Sequence, residues 1–348
     1  MARSGLAPQP TAALDGLRGM AALMVVASHA SGLGMDLVPG LVLTGIGKYG
    51  VYLFFAISAF LLTDQWLRSV AARRMSPQYW GRYLLRRVMR IYPLYGVVLL
   101  VGWALAPKGI GVALDGTAVA HHLLLSEGRG IYWSVPVEFR YYLAIPFLAL
   151  WLGARLPAWM RGLAVAGVLG GAMVVWPATA APEGSITLGF YLPVFLCGSL
   201  AAWVSQKPTR AQEGRSPSGV ADAVLAMLLL LSIPSVLALL GAPEDSTLLH
   251  RYFLPWGLVW AAVLWGMRRG ALPHWCRLWS QPAMRACGRW CFGLYLLHVP
   301  VLYLARALPL PASLRAWCGL ALALVLASWS YRWVERPMLQ LVRPATED

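Results

Sequence analysis

The chain has 348 residues, of which 59% are hydrophobic and 12% charged, and its formal net charge is +15. Soluble domains carry about 25% charged residues, so this composition excludes an ordinary water-soluble protein and favours an integral membrane protein. The excess of arginine does not indicate a nucleic-acid-binding protein, because the basic residues are concentrated in alternate predicted loops, as the positive-inside rule describes.

Apolar stretches long enough to cross a bilayer recur along the whole chain. A transmembrane helix needs about 20 mostly apolar residues. The predicted spans are 14–33, 48–66, 90–106, 131–152, 161–177, 187–205, 219–240, 251–267, 287–306 and 313–334. The sequence therefore predicts one all-α integral membrane domain over residues 1–348, with about ten transmembrane helices, both termini cytoplasmic and no fused soluble domain.

Three predicted connections differ in character. The segment from Gln65 to Arg90 is rich in arginine and aromatic residues, which predicts a cytoplasmic loop with an interfacial helix at headgroup depth. Lys207 to Ser218 is polar with two prolines, which is typical of a linker. Ala242 to Asp245 predicts a short outer turn.

The first predicted span carries charged and titratable residues that are costly inside a membrane. Asp15 and Arg18 stand at its start, and His29 follows Arg18 by eleven residues. Eleven residues make about three helical turns, so Arg18 and His29 share one face and lie roughly 16 Å apart. The spacing predicts Arg18 at the cytoplasmic surface and His29 near mid-membrane. His29 is either a functional group or a packed histidine that bonds a backbone carbonyl.

Other polar residues are predicted at a similar depth. Trp133 and Ser134 open the fourth span, Glu138 lies about one turn further in, and Ser58 and His298 reach mid-membrane from other spans. A carboxylate and two imidazoles at one depth favour a polar cavity suited to proton transfer. Alternatively, Glu138 is a structural partner of Arg140 or of a tyrosine hydroxyl.

Arginines are clustered at the cytoplasmic end of the third span. Arg82, Arg86 and Arg90 recur every four residues, and Arg87 and Arg90 share a face. Together with Arg18 they suit bidentate binding of phosphate, although anionic lipid headgroups would equally explain them. Glu335, at the end of the last span, either orients one of these arginines or balances the local charge.

The cysteines and the His121–His122 pair give little sign of a metal site. The five cysteines form no CxxC pair and lie mostly in or beside predicted spans, so we expect neither a disulfide nor a metal ion there. The two adjacent histidines fall in a predicted outer loop, and we do not expect them to bind a metal ion.

These residues lie in segments that resemble the acyltransferase-3 family of bacterial membrane O-acyltransferases. Six segments resemble the family's signatures in order: LDGLRGMAALMVVASHA (14–30), FFAISAFLLT (54–63), RRVMRIYPLY (86–95), YWSVPVEFRYYLAIP (132–146), GLYLLHVPV (293–301) and YRWVERPM (331–338). The chain departs from the family pattern at Ala59, where glycine is common, and at Arg140, where a neutral polar residue is common.

The resemblance implies transfer of an acyl group, most often acetyl, from cytoplasmic acyl-CoA to a hydroxyl of an extracytoplasmic carbohydrate or lipid-linked glycan. By matching position, His29 would be the catalytic base or acyl relay, Glu138 would shape the site, and Arg18, Arg87 and Arg90 would bind the donor. The supporting residues would be Asp15, Ser58, Trp133, Ser134, His298 and Glu335. It also implies location in the bacterial inner membrane, acyl-CoA as a co-substrate and no permanently bound cofactor.

Two other classes fit part of the pattern. A multi-pass transporter or flippase for a polar or lipid-linked solute would also combine many helices with a polar cluster at mid-depth. The other membrane-bound O-acyltransferase superfamily pairs a histidine with Asn or Asp, and the absence of asparagine from this sequence disfavours it. The acceptor, the acyl chain and the oligomeric state stay open.

Overall fold

The computed structural model describes residues 10–206, 219–241 and 251–342, and every regular element in these ranges is helical. The α-helices are α1 (Pro10–Gly32), α2 (Ile46–Ala71), α3 (Pro77–Leu105), α4 (Gly116–Leu123), α5 (Ser134–Leu152), α6 (Ala158–Val175), α7 (Leu188–Ser205), α8 (Val220–Leu230), α9 (Pro234–Leu239), α10 (Phe253–Arg269), α11 (Pro273–Trp279), α12 (Pro282–Arg289), α13 (Cys291–Arg306), α14 (Ala312–Ser330) and α15 (Arg336–Leu341). Short 3₁₀ turns precede α5 and follow α3 and α6, and a π-helical turn (Tyr331–Glu335) joins α14 to α15.

The helices are those of a membrane protein. Among the described residues, six helices are long and apolar enough to cross a bilayer, or seven if the bent pair α12–α13 forms one span. Ten spans and cytoplasmic termini stay a prediction. The extreme terminal residues, the predicted linker from Lys207 to Ser218 and the predicted turn from Ala242 to Asp245 lie outside the described residues.

The predicted cytoplasmic loop from Gln65 to Arg90 is mostly helix. α2 extends to Ala71 and α3 begins at Pro77, where Ser76 caps the helix by accepting the Tyr79 N–H at 3.2 Å. Trp66 is fully buried and packs edge to face against Tyr79, with ring centroids 4.9 Å apart. Aromatic packing between α2 and α3 thus continues both helices through most of this segment, and the location of these rings at headgroup depth stays a prediction.

Two predicted spans are interrupted. The span predicted at 219–240 divides into α8 and α9 around Pro234, whose ring removes a backbone donor. The span predicted at 287–306 begins as α12 and turns by 76° into α13 at Trp290. Conversely, the outer loop that contains His121 and His122 holds the helix α4.

α1 lies at the centre of the molecule, against α2, α12 and α13. Two glycines permit its close approach to its neighbours: a Cβ on Gly16 would lie 1.8 Å from the Trp279 carbonyl oxygen, and a Cβ on Gly288 would lie 1.8 Å from that of Asp15. This packing fixes the height of α1, and with it the positions of Arg18 at one end and His29 at the other.

Candidate functional site

Two cavities lie at different depths along α1. The larger, here the His29 chamber, has a volume of about 890 Å³ and is open to the surface. The smaller, here the arginine cavity, has a volume of about 90 Å³. His29 lines the first, and Arg18, Arg87 and Arg90 line the second. The ten residues between Arg18 and His29 therefore separate two distinct sites.

The bonding of His29 fixes its tautomer. Nδ1 lies 2.9 Å from the Val25 carbonyl oxygen, which can only accept, so Nδ1 carries the proton. Nε2 therefore keeps its lone pair, and no other described residue donates a hydrogen bond to it. The expected bond between a packed histidine and a backbone carbonyl is present, but it uses one nitrogen and leaves the other for chemistry in the chamber.

His298 lies directly beside His29. The two rings meet edge to face with centroids 4.9 Å apart. Nδ1 of His298 donates to the carbonyl oxygens of Tyr295 (2.7 Å) and Leu294 (3.2 Å). Within the described part of the chain, its buried Nε2 has no hydrogen-bond partner. The prediction that α1 and the ninth predicted span bring two imidazoles together at one depth is confirmed.

The other residues that line the chamber include aromatic and charged side chains. Lys48 Nζ lies 5.0 Å from the centre of the Trp133 ring and 3.6 Å from Glu183 Oε1. Trp133 in turn stacks on Tyr191, with centroids 4.8 Å apart. Arg129 completes this polar rim. An aromatic platform beside polar and charged groups suits a ligand with both apolar and polar faces.

The three arginines of the arginine cavity are held differently. Arg90 Nη1 forms a 2.5 Å salt bridge with Glu335 Oε2, and the Glu335 side chain is buried. Arg87 lies over the rings of Tyr83 and Tyr142, at 5.9 and 5.6 Å. Arg18 makes only a long 3.7 Å contact with Asp15. Glu335 thus orients Arg90, which was one of the two alternatives for it, while Arg18 and Arg87 are not held by strong ion pairs.

Glu138 faces the arginine cavity, and its place corrects the expected cluster. Ser58 Oγ and the Tyr142 hydroxyl both donate to Oε1 of Glu138, at 2.6 and 2.5 Å. Ser134, Glu138 and Tyr142 recur every four residues on one face of α5 and line this cavity. The predicted single cavity with Glu138 and both histidines is therefore wrong: helical rise fixes depth, but the face of α5 decides which cavity a side chain enters.

Three other residues named from the sequence lie elsewhere. Arg140 donates to the carbonyl oxygens of Ile186 and Leu125, so it does not pair with Glu138 as one alternative held. Arg86 Nε donates to the Val342 carbonyl at 3.2 Å and ties α3 to α15. Ala59 is fully buried in the core.

Val51 and Tyr295, here called the wall, lie where the two cavities adjoin. They are the only described residues that line both. The Tyr295 hydroxyl accepts a hydrogen bond from Ser134 Oγ at 2.8 Å and donates one to the Ile131 carbonyl at 2.5 Å. The sequence analysis missed Tyr295, although it precedes His298 by three residues. It also missed Tyr142, four residues after Glu138, which the same helix-face rule would have identified.

The His121–His122 pair has a structural role at His122. The Arg129 backbone N–H donates to His122 Nε2 at 3.0 Å, so Nδ1 carries the proton and donates to the Ala118 carbonyl at 2.7 Å. His121 is exposed on α4. Over the residues whose placement is described, no group of three or more His, Cys, Asp or Glu side chains is arranged to hold a metal ion.

Comparison with known proteins gives one match. The model of a protein family described as an acyltransferase domain matches residues 11–333, which is nearly the whole chain. No curated protein and no solved structure matches the chain.

Proposed function

The chain belongs to the acyltransferase-3 family, and on that premise we propose that it moves an acyl group, in the first instance acetyl, from cytoplasmic acyl-CoA to a hydroxyl of an extracytoplasmic carbohydrate or lipid-linked glycan. The proposal locates the protein in the bacterial inner membrane with both termini in the cytoplasm. Acyl-CoA is then a co-substrate, and the remaining partners are membrane lipids and the glycan acceptor.

One observation carries this proposal. A histidine with an available Nε2 lies in a large open chamber, and only Val51 and Tyr295, among the described residues, line both that chamber and the narrow cavity that holds three arginines. Two substrates of different size and charge would thus approach one reacting point from opposite directions. A donor with phosphates suits the arginine side, and a bulky polar acceptor suits the chamber.

The donor phosphates would bind Arg18 and Arg87. Guanidinium groups bind phosphate through two parallel hydrogen bonds. Arg87 has no carboxylate partner among the described residues, and Arg18 has only the long 3.7 Å contact with Asp15. Arg90 already forms a buried ion pair with Glu335, so it would contribute mainly fixed positive charge. The extended pantetheine arm would then lead the thioester past Glu138 towards His29.

In the direct mechanism His29 acts as a general base. Its Nε2 takes the proton of the acceptor hydroxyl while the hydroxyl oxygen attacks the thioester carbonyl carbon. The C–S bond breaks, the CoA thiolate leaves, and the proton passes from His29 to that sulfur. The products are the acyl ester and free CoA. Alternatively, Nε2 attacks the thioester first and carries the acyl group until the hydroxyl oxygen takes it, with the same products.

The first test is release of CoA thiol from acetyl-CoA by the purified protein in detergent, with and without added glycan. We expect turnover by the wild type and a loss of about a thousandfold or more in His29→Ala, since general-base and covalent roles have contributions of this order. His121→Ala is the matched control, because His121 is an exposed histidine on α4 and lies outside both cavities.

Two results would contradict the proposal. Near-normal turnover by a folded His29→Ala protein would remove His29 from the mechanism. A wild-type protein that neither consumes nor binds any acyl-CoA would remove the enzyme class. Transport of a polar or lipid-linked solute would then be tested next in vesicles.

A further inference from the structure

The wall consists of two buried side chains. Val51, on α2, and Tyr295, on α13, are 5% and 6% exposed, and each contributes to both cavities. Phe54 reinforces the wall on the arginine side, where its ring meets that of Tyr295 edge to face with centroids 6.3 Å apart. A group that passes from the arginine cavity to the His29 chamber would therefore contact these side chains.

The tyrosine side of the wall is fixed in place. The Tyr295 hydroxyl is bonded to both Ser134 and the Ile131 carbonyl, and its ring also lies 6.1 Å from that of His298. A change of χ1 that displaced the side chain would break two buried hydrogen bonds, and a buried polar group left without a partner costs about 1–3 kcal/mol. Val51 has no polar anchor of this kind, so we expect its size to set how much room a passing group has.

We propose that Val51 and Tyr295 are the residues that determine which acyl chains the enzyme accepts, and that together they select a short, uncharged acyl group of acetyl size. This inference rests on the proposed function. It adds to that function the two residues that set donor selectivity, which the family match does not assign.

The physical basis is the packing of the wall. During transfer the thioester carbonyl has to come within reach of the chamber, so the acyl carbons beyond it lie against Val51 and Tyr295. Well-packed interiors resist added methylene groups, each at a cost of about 1–3 kcal/mol, and one methylene gives about 10- to 200-fold discrimination in an apolar pocket. A succinyl carboxylate would in addition enter an apolar contact without a charged partner on the wall, which is unfavourable.

The test compares acetyl-CoA, propionyl-CoA, butyryl-CoA and succinyl-CoA as donors by kcat/KM for thiol release in detergent. In Val51→Ala we expect the ratio of butyryl to acetyl activity to rise by about tenfold, because three-carbon and four-carbon chains gain space at the wall. In Val51→Leu we expect the opposite change, with propionyl transfer falling relative to acetyl transfer.

The matched control is Ile91→Ala. Ile91 is buried and lines the arginine cavity but not the chamber, so this change enlarges the donor site without touching the wall. We expect its butyryl-to-acetyl ratio to stay within about twofold of the wild-type ratio, well below the effect of one methylene. An equal rise in Ile91→Ala and Val51→Ala would overturn the inference, because the donor site as a whole would then set the limit.

The outcomes separate the two proposals. If the wild type releases CoA from acetyl-CoA but both Val51 variants keep its donor ratio, the inference about the wall is wrong and the proposed function stands. If the wild type prefers succinyl-CoA or butyryl-CoA, the inference is also wrong, since the wall then does not select short chains. If the wild type releases CoA from no donor, the proposed function fails and the inference falls with it.

Discussion

The imidazole rings of His29 and His298 meet edge to face, with their centroids 4.9 Å apart. Each ring donates from Nδ1 to a carbonyl oxygen of its own helix. Both therefore present Nε2 as the unprotonated nitrogen. A neutral, polarisable ring thus lies beside the histidine on which positive charge would form during acyl transfer, which suggests a supporting electrostatic role for His298.

Replacement of His298 by phenylalanine tests that role. We expect kcat to fall by about tenfold, which corresponds to about 1.4 kcal/mol of lost transition-state stabilisation, while KM for acyl-CoA stays unchanged because the arginine cavity is untouched. We expect thermal stability to stay equal or to rise, because the change removes a buried nitrogen without a partner in the described chain. Steady-state kinetics and thermal unfolding in detergent measure both effects. An unchanged kcat would assign His298 to packing alone.

The buried Arg90–Glu335 ion pair leads to a prediction about thermal stability. Removal of one partner of a buried ion pair costs about 3–5 kcal/mol, so Arg90→Met and Glu335→Leu should each strongly lower thermal stability. The double variant should be more stable than either single variant, since no charge is then left buried alone. Thermal unfolding of the four proteins of this double-mutant cycle measures the coupling.

Arg87→Met is the comparison for donor binding. Arg87 lies over two tyrosine rings, so its loss should lower stability less than that of Arg90 while raising KM for acyl-CoA by about tenfold, as expected for a lost charge-assisted phosphate contact of 1.5–3 kcal/mol. Purely additive effects of Arg90→Met and Glu335→Leu would show that the buried pair is not coupled. An unchanged KM in Arg87→Met would remove Arg87 from the donor site.

The close packing of α1 gives a third prediction. A Cβ on Gly288 would lie 1.8 Å from the carbonyl oxygen of Asp15, so Gly288→Ala must separate α12 from α1. We expect a loss of about 1–3 kcal/mol, as for overpacking in cores, and a higher KM for acyl-CoA because Arg18 follows Asp15 by three residues. Thermal unfolding and donor kinetics are the measurements.

The control for Gly288→Ala is Gly170→Ala, in the middle of α6. No described atom lies within 4 Å of a Cβ built there, and alanine is favoured over glycine inside a helix by about 0.5–1 kcal/mol. Gly170→Ala should therefore leave stability equal or slightly higher. Equal effects of the two changes would show that helix propensity, and not the contact with Asp15, governs Gly288.

Much of the fold follows from local sequence signals. The apolar stretches predict helices at nearly all of the observed places, and the eleven-residue spacing from Arg18 to His29 correctly separates two depths. Trp66 on α2 packs against aromatic rings of α3. In the sequence of this segment, such buried aromatic residues are interspersed with arginines. From composition we expected a cytoplasmic loop with an interfacial helix, and the structure extends α2 and α3 over most of that segment. Pro234 indicates a helix break in this segment. The length of the apolar run nevertheless favoured one continuous span over 219–240.

The candidate site was predictable only in part for a geometric reason. Residue spacing gives height along a helix, and it correctly brought His29 next to His298. It does not give the rotation of one helix against another, so Glu138 was assigned to the wrong cavity. Of the two structural partners left open for Glu138, Arg140 and a tyrosine hydroxyl, the structure shows the hydroxyl of Tyr142. The wall residue Tyr295 depends on contacts among α2, α5 and α13, and no pattern within one helix reveals such a contact.

The last prediction concerns pH and His122, which lies on α4 outside the long apolar helices. Burial lowers the pKa of His122 below its ordinary value of 6.5, against the opposing effects of its bond to the Ala118 carbonyl and of Glu127. The unfolded chain therefore binds a proton at this site more readily than the folded protein does. The stability that neutral His122 contributes is present above about pH 6.5 and is lost as pH falls below that value. Protonation would also abolish the hydrogen bond that Nε2 accepts from the Arg129 N–H, at the rim of the His29 chamber.

We expect the melting temperature of the wild type to fall between pH 7.5 and pH 5.5 by about 2 °C more than that of His122→Gln, because glutamine does not titrate and every other acidic and basic group is shared by the two proteins. Thermal unfolding of both proteins across this range measures the difference, and parallel curves would show that His122 does not take up a proton on unfolding.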